Sequence, residues 1–313
     1  MRCELGWARS GLYESVRIPY LSRFSVGGVS VQLAGDRRSD VRLVSSLEPF
    51  RVETKLSEIN IRVDRVERLS PALGRQLFDS GTTWLLTEGE AGLQFDFNAA
   101  IFGDVPFKRL LIDPCFRNAT LQMNEECLWD FPNEVEPMGY PLDELLIMHR
   151  LTQEKAIELH SCGIVRPDGT GDLFVGHSGA GKSTTTRLWT ARENVEVLSD
   201  DRIIVRRETV EKTERMRMYG TPWHGEAMYA SPSSAPLTRI FILQHGQGNV
   251  ITRLSPSQAV AELFARSFVP FHRHEYVESA LCFLEELAAA IPCYRYFFEP
   301  DGSAVDAILN FHD

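Results

Sequence analysis

No apolar run in these 313 residues approaches the roughly 18 that a membrane-spanning helix requires, so no membrane role is expected. No block of five or more like charges occurs, and the net charge is −10. A sequence-independent grip on nucleic acid or anionic lipid is therefore not expected either. The six cysteines (Cys3, Cys115, Cys127, Cys162, Cys282 and Cys293) form no C-x-x-C pair and no zinc-like spacing. That argues against a disulfide framework and a structural zinc site, and for scattered thiols in a reducing compartment. The first residues lack the apolar stretch and cleavage pattern of a secretory signal. A soluble, cytoplasmic protein is the expectation. Neither an internal repeat nor a low-complexity tract is present, which excludes a solenoid or a compositional linker.

What is present divides the chain in two. Residues 1–135 read as strands and turns, with alternating segments such as Phe24–Leu33, Asn60–Val66, Thr83–Thr87 and Leu93–Phe97. This predicts an antiparallel, β-rich N-terminal domain of unknown role. In the clearest strand Leu93, Phe95 and Phe97 share the buried face, and Asp96 is expected on the solvated one. Three prolines between Pro132 and Pro141 mark a connector, and Leu142–Leu151 has helical spacing. Residues 142–313 alternate strand and helix patterns, giving an α/β (α+β) chain with a mixed sheet in its second half. Basic residues gather at Arg202, Arg206, Arg207, Lys212, Arg215 and Arg217, with acidic neighbours interspersed. That is the pattern of a solvated strand face.

The most specific motif is Gly176-His177-Ser178-Gly179-Ala180-Gly181-Lys182-Ser183, a complete G-x-x-x-x-G-K-[ST]. Apolar Leu173–Val175 leads in as a strand, and Thr184–Trp189 leads out with no Gly or Pro. In this pattern glycines turn the backbone N–H groups toward phosphate oxygens, and the new helix presents its positive end to the same anion. Residues 176–184 are thus the expected nucleotide-binding segment. Lys182 would face the β- and γ-phosphates, and the Ser183 hydroxyl would complete a Mg²⁺ shell. ATP and Mg²⁺ are the expected phosphoryl donor and cofactor.

Asp200 and Asp201 follow Lys182 by 18 and 19 positions, after apolar Val195, Val197 and Leu198. That span allows one helix and a return strand, and a carboxylate at such a strand end is where a P-loop enzyme meets its metal. Adjacent strand residues point to opposite faces, so both serve one site only if the strand ends or bends there. His160 lies in an apolar strand pattern, where a histidine is usually structural. The segment Tyr219–Glu226 is a Gly/Pro-punctuated loop carrying His224 and Glu226, a candidate substrate loop. Trp189 and Trp223 are expected to pack, and nothing near Cys162 marks it as an activated nucleophile.

With those residues set out, His160 to about Leu254 resembles the kinase domain of HPr kinase/phosphorylase and its relatives. The resemblance rests on the histidine, the glycine-rich loop and Leu198-Ser-Asp200-Asp201-Arg202, in that order. The Thr221-Pro-Trp-His-Gly-Glu segment and Ala235-Pro-Leu look like the branch that includes lasso-peptide serine kinases. The resemblance implies a phosphoenolpyruvate-carboxykinase-like fold and phosphoryl transfer to a serine hydroxyl. It implies Asp200 as general base supported by His160, Lys182 in the catalytic group, and Ser183 and Asp201 at the metal. The downstream Arg-Gly-x-Gly signature of HPr kinases is missing, which argues against HPr itself as acceptor.

The leading expectation is an ATP- and Mg²⁺-dependent kinase acting on a peptide or small protein. Two alternatives stand beside it: a nucleotide-responsive binding or regulatory protein, and a small-molecule kinase or carboxykinase-like enzyme. The identity of the acceptor, the nucleotide base and any homo-oligomeric assembly are left open by the residues.

Overall fold

The computed structural model describes residues 19–72, 74–90, 92–103, 105–129 and 135–312. Its first sheet has eight strands: β1 (Tyr20–Val26), β2 (Val29–Gly35), β3 (Ile59–Val66), β4 (Arg75–Asp79), β5 (Trp84–Gly89), β6 (Gly92–Phe97), β7 (Lys108–Ile112) and β8 (Asn118–Asn124). They lie in the order β1-β2-β3-β8-β7-β6-β5-β4. The expected antiparallel sheet is in fact mixed, because β3 pairs in parallel with both β2 and β8. For β2 and β3 the cause is the long excursion between Gly35 and Ile59. It carries two 3-10 turns and brings the chain back to the same end before β3 begins.

Alternation places Phe24, Val31, Leu33, Ile61, Phe95, Phe97, Leu121 and Met123 on the covered face of this sheet. Asp96 departs from expectation. It is buried on the opposite face and accepts two hydrogen bonds from Arg109, at 2.5 Å to Nε and 2.9 Å to Nη2. Arg109 stands opposite Asp96 in the antiparallel register of β6 and β7, so the cross-strand partner makes burial of this charge tolerable.

A one-turn helix, α1 (Glu125–Leu128), ends this region, and α2 (Leu142–Leu151) follows. The apolar residues Leu142, Leu145, Leu146, Ile147 and Leu151 pack into the core of the first sheet. The same core takes in Ala156, Ile204 and Trp223 from the second half of the chain.

The second half comprises β9 (Ala156–Val165), β10 (Gly171–Val175), α3 (Lys182–Arg192), β11 (Glu196–Ser199), β12 (Arg202–Val210), β13 (Thr213–Tyr219), β14 (Ser234–His245), β15 (Val250–Arg253), α4 (Pro256–Phe264), β16 (Ser267–Phe268), α5 (His274–Ala290), β17 (Cys293–Phe298) and α6 (Ser303–Leu309). Its nine strands also form a mixed sheet, so the chain is α/β in the α+β sense, with two mixed sheets and few helices. Strands β9 and β10 form an antiparallel hairpin ahead of the glycine-rich loop. Strands β14 and β15 flank the 246–249 turn, but β17 inserts between them.

Strand β14 is parallel to β10 on one side and to β17 on the other, so all three end at one edge of the sheet. In a sheet with parallel strands, ligands enter at that edge, beyond the strand C-termini. Among the described residues no helix is long and apolar enough to cross a membrane.

Candidate functional site

The loop from Gly176 to Gly181 leaves β10 at that edge and runs directly into α3, whose first residue is Lys182. Gly181 is the cap and has φ of +100°, a conformation that only glycine adopts without strain. A side chain there would also strike the Phe298 ring, so the end of β17 holds the loop from outside. His245 at the end of β14 adds a second brace, its Nε2 lying 2.9 Å from the Gly179 carbonyl. The first N–H groups of α3 have no intrahelical acceptor and face the loop's concavity. Chain geometry here is that of an anion cradle.

Lys182 is folded back into this cradle and is only 6% exposed. Its ammonium donates to the carbonyls of Gly176 at 3.0 Å and His177 at 3.2 Å. It also stands 2.7 Å from His160 Nε2. Burial pulls the Lys182 pKa down from the ordinary lysine value, partly offset by Asp201. A desolvated ammonium with weak carbonyl partners gains from an incoming anion, which is the electrostatic readiness a phosphate site needs.

His160 comes into this group through strand pairing. β9 and β12 run antiparallel with His160 opposite Arg202, which sets Asp201 beside the imidazole. The Nε2 atom lies 2.8 Å from Asp201 Oδ1. One proton decides which bond is made. With Nε2 protonated the imidazole donates to Asp201; with Nε2 bare it accepts from Lys182. Lys182, His160 and Asp201 therefore form a compact ammonium–imidazole–carboxylate cluster at the mouth of the loop.

The two aspartates part company because the chain bends between them. β11 ends at Ser199 and β12 starts at Arg202, so the pair occupies the corner. Asp200 is fully buried. Its carboxylate accepts from the backbone N–H groups of Gly225 (2.9 Å), Ala227 (2.8 Å) and Tyr229 (3.2 Å). Ser183 Oγ is 3.5 Å from Asp200 Oδ2, linking the carboxylate to the loop hydroxyl. The lone pairs of Asp200, expected to serve a base, are thus engaged by a loop. Asp201 has a side chain 25% exposed and faces the cradle. Burial raises its pKa, but the His160 hydrogen bond, Arg202 and Lys182 outweigh burial and hold it below the usual carboxylate range.

Residues 224–229 wrap around Asp200 with alternate sense. The N–H groups of residues 225, 227 and 229 point inward, while His224, Glu226 and Met228 project outward and are exposed. Gly225 is required by crowding, since a side chain there would come within 2.9 Å of Asp200 Oδ2 and 3.2 Å of Asp201 Cβ. His224 and Glu226 accordingly stand at the rim rather than against Asp201. Trp189 is buried against Phe174, and Trp223 is buried with its Nε1 donating to Asp143 at 2.9 Å. Cys162 lies buried beneath α3, where desolvation pushes its thiol pKa up and leaves it unreactive.

Magnesium demands only one or two carboxylates when phosphates supply further oxygens. Ser183 Oγ with Asp200 and Asp201 offers that donor set. Among the described residues no group of three or more His, Cys, Asp or Glu side chains forms a self-contained metal cage. Residues that sequence reasoning missed are His245, Phe298, Arg202 and Glu144. His245 and Phe298 end strands far from the loop in sequence, and no local pattern marks them. No protein-family model matches the chain, and no curated protein matches it at a significant level.

Proposed function

We propose that this protein is an ATP- and Mg²⁺-dependent phosphotransferase that phosphorylates a hydroxyl, serine foremost, on a peptide or small protein. The observation that carries the reading is the Lys182–His160–Asp201 cluster at the mouth of a glycine-rich loop that caps a helix. An imidazole–carboxylate pair beside the lysine suits proton transfer at the site, which favours chemistry over binding alone. The proposal includes membership of the HPr-kinase-like group and its phosphoenolpyruvate-carboxykinase-like fold. Supporting that part is the motif order His160, loop, acidic pair, set on a mixed sheet with β10 entering the loop.

In this mechanism the loop N–H groups and the α3 N-terminus bind the donor's phosphates. Lys182 leaves the Gly176 and His177 carbonyls and donates to phosphoryl oxygens, neutralising charge that develops during transfer. Ser183 and Asp200 would hold Mg²⁺, which would help neutralise the donor's phosphate charge. We assign the base to Asp201, not to Asp200, because the Asp201 side chain is part-exposed at the cradle whereas Asp200 is fully buried beneath the loop that supplies its three N–H groups. Asp201 accepts the acceptor hydroxyl's proton, with His160 orienting it and able to share the charge. The rim residues His224, Glu226 and Met228 are placed for the acceptor chain.

The test is direct. Wild type and Lys182→Ala are incubated with Mg²⁺–ATP and serine-containing peptides, including those encoded beside the gene, and intact masses are read. A gain of one phosphate by a peptide with wild type, lost with Lys182→Ala, supports the reading. ATP binding without transfer to any peptide returns the protein to the regulatory class, and turnover only with small hydroxy compounds returns it to small-molecule chemistry.

A further inference from the structure

We infer that helix α2 makes the first sheet part of the catalytic apparatus, with Glu144 and Arg202 acting as positioning residues for Asp201. The inference rests on the phosphotransferase reading for its meaning, though the physical link can be tested without it.

The link begins in the first sheet. Lys108 on β7 is fully buried, with its ammonium 5.1 Å from the Phe97 ring and 5.6 Å from Phe107. It donates to the carbonyls of Pro137 (3.2 Å) and Gly139 (3.1 Å), the approach to α2. The apolar face of α2 is packed in the same core. The path and angle of the helix are thus set by β7 and its neighbours.

The first turn of α2 then reaches the site. Asp143 accepts from Trp223 Nε1, and the Trp223 carbonyl accepts from Ser199 Oγ at 3.3 Å, one residue before the acidic pair. Glu144 accepts from Arg202 Nε at 2.9 Å. The far edge of the same guanidinium bonds Asp201 through Nη1, and its face lies 4.1 Å from the Phe268 ring centroid. A planar fork held on one edge by Glu144 and on one face by Phe268 fixes the orientation of whatever its other edge grips. That grip takes Asp201 Oδ2 and leaves Oδ1 to His160.

Stability alone does not account for this arrangement. Carboxylates suit the first turn of a helix on its surface, yet Asp143 and Glu144 are buried there. Glu158 beside them is 1% exposed with neither oxygen hydrogen-bonded, only the Arg202 Nε at 3.5 Å. Burial and Glu144 push its carboxyl well above the usual carboxylate range. Two buried acids on one arginine, with Asp143 buried beside them, cost stability relative to an apolar contact, and such a cluster persists where its geometry is used.

The experiment uses the full-length protein with Mg²⁺–ATP as probe, calorimetry for binding, and ADP release with the serine-containing peptides for turnover. Arg202→Met should lower kcat by about ten- to a hundredfold, with ATP affinity unchanged. Arg202→Lys keeps the charge without the fork and should fall between Arg202→Met and wild type. Lys108→Met, on the first sheet, should lower kcat in the same direction by less. Wild-type turnover in Arg202→Met, or joint loss of kcat and ATP affinity with no recovery in Arg202→Lys, overturns the positioning role. Wild-type turnover in Lys108→Met removes the first sheet from the link. If wild type transfers no phosphate, amide exchange decides instead. Faster exchange at residues 199–203 and 224–229 in Glu144→Gln upholds the link and moves the failure to the phosphotransferase reading, whereas unchanged exchange overturns the link itself.

Discussion

Replacing Asp200 by Asn distinguishes the buried, loop-held carboxylate from the part-exposed one beside it, and the size of its effect on stability can be worked from the contacts. The native side chain accepts three backbone N–H bonds in a fully buried position. An asparagine that keeps its carbonyl oxygen at the Oδ1 position retains the bonds from Gly225 and Tyr229. Its amide then faces the Ala227 N–H, donor against donor. One charge-assisted bond is lost and a buried N–H is stranded, at roughly 1.5–3 kcal/mol. At about 2.1 cal/mol/K of unfolding entropy per residue, each kcal/mol lowers Tm by about 1.5 °C in this chain, so a fall of about 2–5 °C is expected in a thermal melt followed by circular dichroism. Asp201→Asn loses bonds at a part-exposed position and should melt closer to wild type. Its turnover should drop by roughly 10²–10⁴, as for a missing base. The reasoning is refuted if Asp200→Asn melts with wild type while losing turnover, and Asp201→Asn is the unstable one.

Gly181→Ala places a methyl against Phe298 at a φ of +100° and should cost about 1–3 kcal/mol, with weaker Mg²⁺–ATP binding by calorimetry; adding Phe298→Ala should relieve only the clash. His149 is buried against Phe95 and Phe116, and desolvation lowers its pKa from 6.5 to about 3, so the folded state holds it neutral. Its contribution is whole above the unfolded pKa of about 6.5 and is lost as pH falls from there toward 3, reaching about 3 kcal/mol at pH 4. Urea titrations between pH 7 and pH 4 should show this slope reduced in His149→Phe, and an unchanged slope would exclude His149 as its source. Trp223→Phe strands Asp143, whose pKa burial already raises to about 6. That variant should lose stability above pH 6 more than below it, as read by the same titrations.

The local features were written in the chain, because each rests on neighbours in sequence. Gly176 to Ser183 specify a loop and a helix start wherever they sit, and α2 (Leu142–Leu151) coincides with the helical spacing read from its apolar residues. Strand segments such as Leu93–Phe97, which lies within β6, were legible by their period-2 alternation. Strand partners were not. Parallel pairing of β2 with β3 depends on how a long excursion returns, and alternation carries no sign of direction. Asp96 looked solvated because a single strand shows two faces, while only the sheet shows Arg109 across from it.

The acidic pair makes the division plain. Sequence alone could say that Asp200 and Asp201 follow the loop at a useful distance, and that a bend must separate them for both to serve one site. Which carboxylate turns inward was decided by the loop from Gly225 to Tyr229, which supplies three N–H groups to one of them. His160 met Asp201 through the register of β9 on β12, and His245 and Phe298 reached the loop through parallel strands. Arg202 looked like one of six basic residues on a solvated strand, yet it is held between Glu144, Asp201 and Phe268. Motifs arise from the short-range preferences of the backbone and so survive in the sequence, whereas the partners of a charge are chosen by tertiary packing.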